Sequence, residues 1–444
     1  MEKREKRNPM KFKIHRGTKE IGGSCVEVWT ASTRILLDFG MPLVNKDKSE
    51  FDFNQFKRIT PLELIEHGVL PDIKGLYDEK DKMIDGVIIS HPHQDHFGLI
   101  NFIHKNTQFH LGEATHKLIE ISNIFTPQEI HIEKASYFER EKSFQIGDIS
   151  ITPYWADHSA FDAYSFLVEA DGKRLFYSGD FRSHGRKANA FNWFTHNAPQ
   201  HVDYLLLEGT TIGRDSKPFK TETEIENEFV KVFQEQNKIN LVYSSGQNID
   251  RIVSVYKACK RTNKILVVDV YVAKILKELS MFAKIPFSSK EFEKLKVMFP
   301  YYTSKRLTKE GNEKILYEFT QYKITKEQIS EQSNEIVMFV RPSMQKDLEN
   351  ISNLEGGNLI YSMWEGYLQK SGTKDFLDYL ISRNFTIHKI HTSGHADTAT
   401  LKKMVKAINP KNIVPIHTFS GGEYARIFNV PIVELNDGET ISIE

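Results

Sequence analysis

The sequence predicts an α/β protein in which a sheet sandwich, lined along one edge by metal-ligand residues, is interrupted by an inserted domain. Three observations carry this expectation. Strand-like apolar runs recur toward both ends of the chain, and one after another they stop at His or Asp. The stretch from about Thr211 to Asn384 has no such endings and is richer in helical pattern. The 444 residues also exceed one typical hydrophobic core, so two domains are expected.

The first strand-like run that matters is Ser32 to Leu37, which stops at Asp38-Phe39-Gly40. An acid directly after three aliphatic residues either faces a polar site or carries a burial cost. A turn residue before Gly40 is the plainer alternative. Next, the run from Met83 to Ser90 leads into His91-Pro92-His93-Gln94-Asp95-His96, four metal-ligand types in six residues. Imidazole nitrogens and carboxylate oxygens are ligands zinc favours, at roughly 2.0 to 2.2 Å. The spacing suits a split set of donors for two ions. Such a site needs more donors than one loop carries, and later strand ends supply them.

Ile149 to Trp155 ends at Ala156-Asp157-His158. Ala163 to Glu169 and Lys173 to Ser178 flank Asp171-Gly172, a hairpin dipeptide that tolerates positive φ, and the second strand ends at Gly179-Asp180. Near the C-terminus, Ile387 to Ile390 runs into His391-Thr392-Ser393-Gly394-His395, a helix is expected over Ala396 to Ile408, and Asn412 to Ile416 ends at His417. Singly, each of these histidines reads as a surface or packing residue. Their repetition argues for convergence.

In the middle of the chain, helices are expected over Glu222 to Gln236, Asn248 to Arg261, Val272 to Ala283 and Lys309 to Tyr322. Trp364 follows a strand-like run and reads as a core residue, with base stacking as the functional alternative.

These residues resemble a known group. His91, His93, Asp95, His96, His158 and Asp180 are similar to the metal motifs of the metallo-β-lactamase superfamily, with Asp38 as its first, supporting acid. Leu205 to Thr211 around Glu208, Ser393-Gly394-His395-Ala396 and Pro415-Ile416-His417 resemble the three further motifs of its β-CASP nucleases, and within them the ribonuclease J family. The resemblance runs from about Gly17 to Glu444 and implies a chain that stops before the extra C-terminal domain of full-length members.

It implies an αββα metallo-β-lactamase sandwich with an inserted α/β β-CASP domain, divided as residues 1–210, 211–384 (inserted) and 385–444. It also implies two zinc ions, with manganese as an alternative. His91, His93 and His158 would hold one, Asp95, His96 and His417 the other, and Asp180 would bridge them. His395 would contact phosphate or protonate the leaving oxygen, Glu208 would orient it, and Asp38 would orient a ligand histidine. The family's phosphate-gripping loop corresponds to Ser244, Ser245, Gly246, Gln247 and Asn248, followed by Arg251, opening a helix whose N-terminus can receive a phosphate. An ordinary helix cap is the plainer alternative. His417 favours RNA over DNA as substrate, single-stranded RNA being the expected partner, and a homo-oligomer is left open.

Composition narrows the field. Lys plus Arg and Asp plus Glu each number 59, so no global basic excess marks a nucleic-acid binder, and a nuclease reading must rest on local charge. Cys25 and Cys259 are too few for a disulfide framework or a thiolate metal site. No apolar run is long enough to span a bilayer, and Met1 to Arg7 is charged without a following apolar segment, so a cytoplasmic protein is expected. Two rival functions remain: a small-molecule hydrolase acting on a thioester, lactone or cyclic phosphodiester, and a non-catalytic RNA-binding scaffold.

Overall fold

A computed structural model describes residues 9–45, 49, 51–56, 59–77, 84–126, 130–214, 218–235 and 238–444. Its frame is two sheets packed face to face. One has seven strands in the order Thr440–Ser442, Lys11–Arg16, Cys25–Trp29, Arg34–Leu37, Gly86–Ile88, Phe109–Leu111, Ala135–Tyr137. The other has six, in the order Asn412–Ile416, Tyr204–Glu208, Lys173–Tyr177, Ala163–Ala170, Ile149–Ala156, Phe144–Ile146.

Period-two alternation turns Phe12, Ile14, Val26, Val28, Ile35 and Leu37 of the first sheet onto Ile149, Ile151, Phe166, Val168, Leu175 and Leu206 of the second. Helices cover the outer faces. Glu113–Phe125 packs outside the first sheet through Ile119, while Ala188–Asn197 and Thr398–Ile408 cover the second through Phe191, Phe194, Leu401 and Met404. The result is the expected αββα sandwich.

The chain leaves the sandwich after Tyr204–Glu208 to build a third sheet and returns for Asn412–Ile416, which pairs parallel with the strand it left. The third sheet is wholly parallel, in the order Leu295–Met298, Ile265–Asp269, Ile336–Val340, Asn240–Tyr243, Asn358–Tyr361, Thr386–Lys389. Helices on both faces bury it, so its central strand Ile336–Val340 is a continuous apolar run, all of it buried.

Two expectations about this region need correction. The last strand of the inserted sheet, Thr386–Lys389, lies beyond the expected boundary at 384, because its backbone pairs with Asn358–Tyr361. The helix expected over Lys309 to Tyr322 is reduced to Lys314–Glu318 and a 3-10 turn at Thr320–Tyr322, while a helix not expected from the sequence, Tyr301–Lys309, ends just before Gly311, whose φ is +76°. The other three helices fall at Glu222–Glu235, Ile249–Arg261 and Val270–Leu279; Gln236, expected to end the first of them, and Met83, expected to open a strand, lie outside the described residues. Both cysteines are free and buried, and among the described residues no helix is long and apolar enough to cross a membrane.

Candidate metal centre

Strands of both sheets end along one edge of the sandwich, and there the polar residues gather. Asp38 follows Arg34–Leu37, His91 follows Gly86–Ile88, His158 follows Ile149–Ala156, Asp180 follows Lys173–Tyr177, Glu208 closes Tyr204–Glu208, and His417 follows Asn412–Ile416. Asp38 and His417 hold left-handed backbone, with φ of +60° and +53°. Such conformations cost of order 1 to 3 kcal/mol in a non-glycine residue and persist where the surroundings impose them.

The loop carrying His91 to His96 is clamped by the segment after Asp38. Phe39 and Met41 donate their N–H groups to the carbonyls of His96 and Gln94 at 2.8 and 2.9 Å, and Ser24 donates to that of Asp95 at 3.1 Å. The approach is so close that a Cβ on Gly40 would lie 1.7 Å from the Asp95 carbonyl oxygen. Only glycine fits there.

Asp38 is fully buried and accepts four hydrogen bonds: from the Ser90 N–H and Oγ at 2.7 Å each, from His96 Nδ1 at 2.7 Å and from the Tyr177 hydroxyl at 2.8 Å. On the other side of the ring, His96 Nε2 lies 3.2 Å from Asp180 Oδ2 and 3.8 Å from Asp95 Oδ2; burial would lower the His96 pKa, but Asp180, Asp38 and Asp95 raise it well above the usual histidine range. Neither Ser90 nor Tyr177 stood out in the sequence, and residue type alone offers no signal for either.

Two clusters share this edge. In one, His91, His93 and His158 bring ring nitrogens within 4.8 Å of one another; in the other, Asp95, His96, Asp180 and His417 do the same with nitrogens and carboxylate oxygens. Asp180 lies between them, its Oδ2 3.8 Å from His91 Nε2. Burial, followed by the neighbouring imidazoles, holds His91 and His158 well below the usual histidine range, and burial takes His93 to about 4. All three are thus neutral, the form that can ligate. Burial alone would raise Asp95 and Asp180, yet His96 and His417 bring Asp95 down to about 2, and His417, His96 and His395 hold Asp180 well below the carboxylate range.

The donor set fits divalent cations. His91 Nε2, His96 Nε2, His158 Nδ1 and both oxygens of Asp180 are buried without a hydrogen-bond partner. Orphaned buried atoms of this kind cost about 1 to 3 kcal/mol each, more when charged, unless something meets them.

Beside the clusters stands His395. Its Nδ1 is 3.5 Å from Glu208 Oε1 and 3.6 Å from Asp180 Oδ2, and its ring centroid is 5.3 Å from that of His158. Burial would lower its pKa, but Asp180 and Glu208 together raise it. Glu208 is fixed in turn, accepting from the N–H groups of Thr210 at 3.0 Å and Ala396 at 3.3 Å. Thr210 also reaches His417 Nδ1 at 2.8 Å, so the three late motifs are tied to one another.

The loop expected to grip phosphate lies at the C-terminal edge of the inserted parallel sheet, where ligands of such sheets bind. Asn248 caps Ile249–Arg261 by accepting from the Arg251 N–H, and Gln247 Nε2 donates to Ser122 Oγ and the Tyr271 hydroxyl at 2.9 Å each. Ser245 is exposed, Gly246 is partly exposed, and Ser244 Oγ is buried without a partner.

The expectation that Arg251 binds substrate is corrected by its burial. It is 0% exposed, and its guanidinium donates to Glu222 Oε1 at 3.0 Å and to Ser362. It belongs instead to a buried ion network in which Arg182 meets Asp250 at 2.5 Å and Asp157 at 3.5 Å, tying the inserted domain to the sandwich.

A sheet sandwich with paired His/Asp clusters at one edge is the architecture of a metallo-hydrolase. Residues 73–241 match the family described as beta-lactamase superfamily domain, and residues 380–419 match the Zn-dependent metallo-hydrolase RNA specificity domain. The chain thus carries a metallo-β-lactamase domain and, toward its end, an RNA specificity domain of Zn-dependent metallo-hydrolases, and the relatives it matches include proteins named as ribonucleases. Over 427 residues it is 22% identical to Ribonuclease J of Helicobacter pylori (strain ATCC 700392 / 26695), covering 93% of this chain and 56% of that protein.

It is 21% identical to Integrator complex subunit 11 of Gallus gallus over 440 residues, covering 90% of this chain and 67% of the relative. A shorter match, 29% over 182 residues, joins 38% of the chain to 36% of the RNase J-like protein of Methanocaldococcus jannaschii. The chain thus spans about half the length of the ribonucleases J it matches. The crystal structure of a protein of unknown function from Enterococcus faecalis V583 shares the fold, with a TM-score of 0.78 at 21% identity, covering 98% of this chain and 99% of that one.

Proposed function

We propose that this protein is a zinc-dependent ribonuclease that hydrolyses phosphodiester bonds of single-stranded RNA at a two-metal centre. The observation that carries the reading is the set of unpartnered ring nitrogens and carboxylate oxygens at the sandwich edge. His91, His93 and His158 would hold one ion, Asp95, His96 and His417 the other, and Asp180, facing both clusters, would bridge. When bound, the ions would supply Lewis-acid polarisation of the scissile phosphate and acidify water.

The protein's own groups do the rest. Asp38 fixes the tautomer of His96 through Nδ1. Glu208 holds the His395 ring, whose side chain keeps 22% exposure at the mouth of the site. Its proton is placed to hydrogen-bond a phosphoryl oxygen or pass to the departing 3′ oxygen as the P–O bond breaks and water adds to phosphorus. The Ser244–Asn248 loop would receive a terminal 5′ phosphate at the exposed Ser245 and the partly exposed Gly246, since the N–H groups of Gln247, Asn248, Ile249 and Arg251 are already bonded within the protein. Sequence similarity to proteins named as ribonucleases and the match to an RNA specificity domain favour RNA over a small ester.

The test is incubation of the purified protein with zinc or manganese and end-labelled 5′-monophosphate RNA, 5′-triphosphate RNA and single-stranded DNA. Cleavage of RNA is expected, and mononucleotides from the monophosphate strand alone would mark an exonuclease. A metal-loaded preparation that leaves all three strands intact would overturn the reading.

A further inference from the structure

The C-terminal edge of the inserted sheet carries an exposed aromatic that the metal centre does not use. Trp364 follows Asn358–Tyr361 and is 49% exposed, whereas a Trp after a strand is ordinarily core. Its ring is held in place all the same. The Tyr361 hydroxyl donates to the Trp364 carbonyl at 3.1 Å, and the buried Arg251 donates to the Ser362 carbonyl at 3.3 Å, so the turn stands on a rigid base. The ring lies against Gly366, where a Cβ would meet it at 2.3 Å, and Tyr367 meets it edge-on with centroids 5.4 Å apart. Lys370 Nζ sits 4.6 Å from the Tyr367 ring centre.

A cation beside Trp364 comes from the segment that leaves the sandwich. Arg214 leaves the sandwich just after the Glu208–Thr211 motif and places its guanidinium carbon 5.2 Å from the Trp364 ring centre. The segment bearing it is anchored to the site: the Arg214 N–H donates to Thr211 at 3.2 Å, and Thr211 Oγ1 donates to the Ala396 carbonyl at 2.5 Å, next to His395. Among the described residues no carboxylate lies within 4 Å of the Arg214 guanidinium, and Glu208 acts on it from further away. A partly buried guanidinium beside an exposed ring suits a phosphate next to a stacked base.

We propose that Trp364 and Arg214 form a nucleotide clamp on the substrate strand, Trp364 stacking on one base and Arg214 binding the phosphate attached to it. The clamp rests on the RNA reading above and adds to it a sequence-tolerant subsite outside the metal centre, since every base offers a π face to an aromatic ring. It also places the local positive charge that the neutral whole chain does not supply.

The experiment measures affinity by fluorescence anisotropy for a 3′-labelled, 5′-monophosphate single-stranded RNA, in the metal-loaded His395→Ala background, where cleavage is slow, with strand integrity checked on a gel after each titration. Trp364→Ala is expected to weaken binding roughly tenfold and Trp364→Phe much less. Arg214→Ala is expected to lower the slope of log affinity against log salt by about 0.7, with Arg214→Lys keeping it. An abasic residue walked along the RNA separates stacking from a structural effect. One position should carry a penalty of roughly tenfold, and that penalty should vanish with Trp364→Ala.

Equal penalties with and without Trp364, together with an unchanged salt slope for Arg214→Ala, would overturn the clamp while leaving the ribonuclease reading intact. A Trp364→Ala protein altered only in its solution mass would overturn it in favour of self-association. A wild-type protein that neither binds nor cuts RNA would overturn both.

Discussion

The edge of the sandwich and the facing edge of the inserted sheet both bury clusters of charged and polar side chains, yet the two differ in how those groups are satisfied. In the ion network around Arg251, each buried charge meets an opposite one: Arg251 with Glu222, Arg182 with Asp157 and Asp250, Arg186 with Glu226. At the sandwich edge, ring nitrogens of His91, His96 and His158 and both oxygens of Asp180 crowd together with no hydrogen bond of good geometry among them. Burial of polar groups marks both regions, but the second gathers its open valences within 4.8 Å of one another, whereas the inserted sheet's edge leaves isolated ones such as Ser244 Oγ. A fully satisfied network fixes geometry, and an unsatisfied one performs chemistry.

The contrast can be broken by substitution. His93→Ala should remove the metal and with it roughly a thousandfold or more of turnover, since an ion supplies several kcal/mol to such a transition state. A variant that keeps both its zinc and its rate would count against the site. His395→Ala should leave metal content alone and slow RNA cleavage by roughly 10²- to 10⁴-fold, as measured under single-turnover conditions. Unchanged turnover would remove this residue from the reaction.

Arg251→Met tests the other region. It leaves Glu222 buried without its main partner, so unfolding in urea should show a loss of about 3 to 5 kcal/mol, far more than a surface arginine would give. The same pair has a pH signature. Burial would raise Glu222, but Arg251 and Arg182 outweigh it and hold the carboxyl at about 2. A depressed carboxylate contributes stability above its unfolded value, near 4.5, and that contribution is lost as pH falls toward 2. Glu222→Gln should therefore flatten the acid limb of the stability profile between about pH 5 and pH 2. Parallel profiles for the two proteins would contradict this account of the network. The smallest effect is expected for Asp38→Asn, whose amide cannot accept on both arms from Ser90, His96 and Tyr177; metal affinity should weaken by roughly 10- to 100-fold with the fold retained.

How far each region was legible in the sequence follows from the same contrast. The candidate ligands sit at strand ends in short local patterns, so periodicity and residue type pointed to His91 to His96 and to a convergence of later strand ends, while His158, Asp180 and His417 were picked out by the family resemblance; the structure brings these side chains to one edge. Asp38 could be singled out because an acid after three aliphatic residues is anomalous. Its partners Ser90 and Tyr177 could not be, since nothing distinguishes them from ordinary strand residues until Asp38 is seen to bind them. Arg251 was misread because its helix-start position suggested a ligand, whereas its burial is decided by Glu222, 29 positions earlier, and Ser362, 111 later. Trp364 was expected in the core because it follows an apolar strand, but the turn after Asn358–Tyr361 leaves its ring 49% exposed, against Gly366 and beside Arg214. The strand Thr386–Lys389 escaped the expected domain boundary because its membership is set by pairing with a distant strand.

The central claim is that seven side chains from separate strand ends form one centre for two ions. Metal content per chain, measured by mass spectrometry after zinc loading and exhaustive dialysis, tests it most directly. The account predicts about two zinc ions per wild-type chain, falling with His93→Ala while the circular dichroism spectrum is retained. A folded wild-type protein that retains no zinc or manganese would contradict it.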